Sequence, residues 1–106
     1  MTPEVIQIET TMADRADAQR IATALVAKRL AACVHVDGPI DSMYRWEDTI
    51  EEQQEWRLTI KTRAELYDEV EAAIRELHPY DEPEILATAI VTGSPTYLKW
   101  LRESVG

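Results

Sequence analysis

Hydrophobic and polar positions first follow a period of two. In EVIQIET, Glu4 to Thr10, Ile6 and Ile8 fall on one side and Gln7 and Glu9 on the other, which predicts a half-buried strand. From Asp14 the period lengthens. Ala18, Ile21, Ala22, Leu25 and Val26 recur at helical spacing, with Asp14 as N-cap and Lys28 and Arg29 near the end, so a helix follows. AACVHV, Ala31 to Val36, is small and β-branched, and after Asp37-Gly38-Pro39 the stretch IDSMYRW restores strand character as far as Trp46. This reads as one long strand with a bulge or kink at Gly38 and Pro39. Trp56, Leu58 and Ile60 then alternate with Arg57, Thr59 and Lys61, so the stretch from Trp46 to about Ile50 is the tip of an antiparallel hairpin.

TRAE, Thr62 to Glu65, matches a capping box and predicts a helix starting there. Its apolar stripe is Leu66, Val70, Ala73, Ile74 and Leu77, and Pro79 forces an end near His78. EILATAIVT, Glu84 to Thr92, reads as a strand. Ser94 and Pro95 then open a short last helix as N-cap and N1. The order β-α-β-β-α-β plus a terminal helix is the split βαβ plan, an α+β class, in one domain over residues 1–106. Right-handed crossovers put both long helices on one side of a four-stranded, mainly antiparallel sheet. If Val34 and Val36 point at the helices, Gln7, Cys33, His35, Arg57, Thr59 and Lys61 point away from them. Tyr44 and Trp46 on the hairpin and Tyr97, Trp100 and Leu101 on the last helix exceed what one small core hides, which predicts an oligomer.

Composition narrows the function classes. With 45% hydrophobic and 29% charged residues the chain is of the ordinary folded, soluble type. Eleven basic against twenty acidic residues give a net charge of −9, which opposes nucleic-acid binding and draws cations. Cys33 is the only cysteine, so neither an intrachain disulfide nor a cysteine-rich zinc site is available, and a cytoplasmic location is expected. No stretch reaches the roughly 18 apolar residues of a membrane span.

The densest chemistry lies in HPYDEPE, His78 to Glu84. One reading is structural: His78 ends a helix, where an imidazole suits the dipole, and precedes a proline. The other has His78, Tyr80, Asp81 and Glu84 lining a cleft in which imidazole and carboxylates bind Cu(II) or Zn(II). Cys33 is either a small buried hydrophobe or a thiol on the second sheet face near His35 and Lys61. Lys61 serves either a structural ion pair or an anionic ligand. Trp46, with Tyr44, reads first as hairpin packing, and the run Glu47, Asp48, Glu51, Glu52 and Glu55 first as a solvated edge that discourages aggregation and second as a weak cation site.

KRLAACVHV, SMYRWED, IEEQQEWRLTIKT, HPYDEPEILATAI and PTYLKWL, in this order and spacing, resemble the CutA family of divalent-cation tolerance proteins over nearly the whole chain. The resemblance implies a ferredoxin-like fold, a homotrimer whose long hairpins complete neighbouring sheets, and an association with copper or other divalent cations. It implies no catalytic activity and no organic cofactor. His78 matches a copper-binding histidine of some members, whereas Leu77 and Thr10 stand where some bacterial members have a second histidine and a cysteine. His35 stands at a position that is commonly Asn, and Asp48 at one that is commonly Gly. The site residues expected on this basis are His78 for metal and Cys33, Trp46, Lys61, Tyr80 and Glu84 for a ligand cleft. Three other readings remain beside it: a small-molecule signalling trimer like the PII proteins, an enzyme using His78 as base, and a structural scaffold.

Overall fold

The computed structural model describes residues 3–106. Strand β1 (Val5–Met12) leads into helix α1 (Arg15–Ala27), followed by the long strands β2 (Cys33–Trp46) and β3 (Thr49–Arg63). A single 3-10 turn (Ala64–Leu66) precedes α2 (Tyr67–Leu77), and β4 (Leu86–Ala89) and α3 (Pro95–Glu103) complete the chain. The sheet order is β2-β3-β1-β4, and every neighbouring pair is antiparallel. This is the expected α+β, ferredoxin-like arrangement.

The period of two decides which side each strand residue serves. Ile6, Ile8, Thr10 and Met12 face the helices opposite Thr62, Ile60, Leu58 and Trp56 of β3. Ile8, Met12, Leu58 and Ile60 are fully buried against Ala18, Ile21 and Leu25 of α1 and Val70 and Ile74 of α2. Burial of each large aliphatic side chain there contributes about 1.5–3 kcal/mol. Val34 and Val36 also pack on this core, which leaves the odd-numbered residues of β1, β3 and early β2 on the second face.

Several local expectations change. The capping box at Thr62 does not form. Thr62 is the buried penultimate residue of β3, where its hydroxyl donates to the Leu30 carbonyl at 2.6 Å, and the helix starts only after the 3-10 turn. Burial at a strand end outcompetes a local cap because the same hydroxyl satisfies a carbonyl from another segment. Asp14 occupies the N-cap of α1 but makes no side-chain cap bond, whereas Ser94 Oγ accepts from the Tyr97 N–H. The last strand is four residues long rather than nine.

The helix α1 stops in a Schellman arrangement, with Arg29 N–H on the Val26 carbonyl and Leu30 N–H on the Leu25 carbonyl. Arg29 takes the left-handed position usually given to glycine, at φ 58°. Its guanidinium donates to the Glu103 and Gly106 carbonyls at 3.1 and 3.0 Å and ties the C-terminus to the helix end.

The expected bulge lies between Asp37 and Ile40, where Gly38 and Pro39 oppose the single residue Trp56. Gly38 has φ 151°, and a Cβ there would lie 2.9 Å from the Trp56 ring and 3.0 Å from the Glu55 carbonyl oxygen. One extra residue reverses side-chain parity. Before the bulge Cys33, His35 and Asp37 share the face of Arg57 and Lys61; after it Ile40, Ser42 and Tyr44 oppose Glu55, Gln53 and Glu51 on that same face.

Candidate functional site

The reversed parity builds a cleft. It lies on the second sheet face, has a volume of about 940 Å³, and runs between the long hairpin and the loop after α2. Glu9 and Thr11 of β1 form its floor with Glu55 and Arg57 of β3, Tyr44 and Trp46 line the hairpin side, and Tyr80 and Glu84 close the loop side.

A chain of hydrogen bonds holds the walls together. Tyr44 donates to Gln53 Oε1 at 3.0 Å, the Gln53 amide donates to the Tyr80 hydroxyl at 3.2 Å, and Tyr80 donates to Glu55 Oε2 at 2.8 Å. Burial, and then the bond to Glu55, raises the Tyr80 phenol well above its ordinary value, so it remains a donor. Glu55 is only 6% exposed. It therefore leaves the solvated acidic edge to which its sequence neighbours assign it, and becomes the anchor of the cleft.

Arg57 is the cation of the cleft floor, but it is already engaged. Its Nε and Nη2 reach the two carboxylate oxygens of Asp37 at 3.3 and 2.9 Å, and this pair raises the guanidinium further. Glu84 is left among like charges. Burial first, then Glu9 and Glu55, raise its carboxyl above the usual range, and Arg57 offsets only part of this.

His78 stands behind this wall, 8% exposed. The Tyr80 backbone N–H donates to Nδ1 at 3.0 Å, so the ring proton belongs on Nε2, which donates to the Thr11 carbonyl at 2.8 Å. Tyr80 also packs on the ring, with centroids 4.8 Å apart. Burial lowers the imidazole below its ordinary value and keeps it neutral. With both nitrogens occupied, a metal ion at His78 has to displace one of these two bonds. Thr10 is in the core with its hydroxyl unpaired, and Leu77 packs against the core, so neither supplies a soft donor. Among the described residues no group of three or more His, Cys, Asp or Glu side chains is arranged to hold a metal ion.

The expected site residues thus separate into groups. Trp46, Tyr80 and Glu84 share the acidic cleft, with His78 buttressing it from behind. Cys33 and Lys61 are opposite each other at the far end of the β2-β3 ladder. Among the described residues Lys61 meets no carboxylate there; its Nζ is 3.4 Å from His35 Nδ1. Reading single residues missed Glu9 and Gln53, and took Glu55 only as one member of an acidic run along the hairpin edge. The odd-numbered parity that already assigned Arg57 and Lys61 to the second face carries the signal for all three.

The CutA1 divalent ion tolerance protein family model matches residues 6–104. The chain is 44% identical over 89 residues to the divalent-cation tolerance protein CutA of Thermus thermophilus, covering 84% of this chain and 86% of that protein. It is 36% identical over 99 residues to the chloroplastic CutA protein of Arabidopsis thaliana, covering 93% of this chain but only 54% of that longer protein. The crystal structure of CutA1 from Shewanella sp. SIB1, described as a stable protein from a psychrotrophic bacterium, superposes with a TM-score of 0.96 at 38% identity, covering 99% of this chain and 98% of that one. With this match in sequence and in fold, the chain belongs to the CutA1 family of divalent ion tolerance proteins.

Proposed function

We propose that this protein acts without catalysis in divalent-cation tolerance, associating with the cation through the carboxylates of the second-face cleft. The observation that carries the reading is that Glu9, Glu55 and Glu84 line one cleft with Arg57 already held by Asp37, which leaves the Glu84 carboxyl facing like charges. Carboxylates that repel one another gain from a nearby divalent ion even without a preformed ligand set, and carboxylate oxygens suit hard or borderline cations, with Cu(II) or Zn(II) included. Coordination to His78 is the tighter alternative and requires the ring to give up Tyr80 N–H or the Thr11 carbonyl. No soft-donor set accompanies it, so Cu(I) is not the favoured ion.

The assembly in this reading is a homotrimer. Both outer strands of the sheet, β2 and β4, have one edge without a strand partner among the described residues. Met43, Trp46 and Ile50 on the hairpin and Leu86 and Val91 near β4 are each more than half exposed. Such edges and apolar side chains are what a neighbouring copy covers. No described helix is long and apolar enough to cross a membrane. We place the protein in the cytoplasm, where one free cysteine and no disulfide fit a reducing compartment.

Calorimetric titration of Cu(II) into chelator-treated protein tests the site, with E84Q and H78A alongside. Binding weakened in E84Q and retained in H78A supports the carboxylate cleft, and it strengthens as pH rises through the raised Glu84 value, because only the ionised carboxyl attracts the ion. Binding abolished in a folded H78A protein moves the site to the imidazole. Absence of binding in all three removes the metal reading.

A further inference from the structure

We draw no further inference here: the strongest candidate, the aromatic wall of Tyr44 and Trp46 beside the carboxylates of the second-face cleft, belongs to the site already described and lies on the hairpin surface that a neighbouring copy covers on the trimer reading.

Discussion

At the residue scale, His78 uses both ring nitrogens to fasten the loop after α2 to β1. Its folded form is neutral, since burial holds the ring below the ordinary value of 6.5. On acidification through that value the unfolded chain takes up the proton before the folded chain does. The contribution of His78 to stability is therefore complete above it and is lost as pH falls toward and through the lowered folded value. Urea denaturation from pH 7.5 down to 5 should show this fall in the wild type and a flatter profile in H78Q. At pH 7.5, H78Q should cost about 1 kcal/mol for the weakened pair of buried bonds. HPY announces a helix stop in sequence, but the Thr11 carbonyl that holds the ring is 67 positions away and carries no local signal.

The bulge in β2 is the decisive feature at the element scale. Without it, the ladder from Asp37 onward would turn Tyr44 away from Gln53, and the Tyr44, Gln53, Tyr80 and Glu55 chain would lose its first member. Gly38 is required twice, by its positive φ and by the approach of Trp56. Gly38→Ala should destabilise the protein by about 1–3 kcal/mol in urea denaturation, from backbone strain and a clash with a packed ring. Glycine and proline between two strand-like stretches make the interruption visible in sequence. Thr62 illustrates the opposite case, in which a good local cap signal yields to burial of the same hydroxyl beneath Leu30. The hairpin tip also departs from the usual preference: Glu47 and Asp48 both have positive φ, as a two-residue type I′ turn demands, although neither is glycine.

For the whole molecule, a net charge of −9 and the exposed apolar side chains of the hairpin and the β4 region act in opposite directions. Like charge separates copies at long range and is screened by salt, whereas apolar burial acts only at contact. On the trimer reading, light scattering should give three times the 12.1 kDa chain mass, and W46K/I50K should shift the population toward single chains. A wild type that remains monomeric at every concentration and salt level would remove the trimer. The elongated outline, 45 × 28 × 22 Å, reflects a hairpin too long for its own core, whose outer part a neighbouring copy covers on the trimer reading.

Local periodicity by itself determined the element order, the helix-facing set in β1 and β3, the bulge and the helix stop at His78, because each depends on neighbours two to four positions apart. The motifs in sequence also carried the family resemblance. Tertiary structure alone decided that Glu55 is buried, that Thr62 stays in a strand, that His78 has both nitrogens engaged, and that of the two readings of Cys33 the one beside His35 and Lys61 holds. Those outcomes depend on register between distant strands and on competition for buried hydrogen bonds. A one-residue bulge changes every facing beyond it, and a linear pattern shows where the bulge is but not what it brings together.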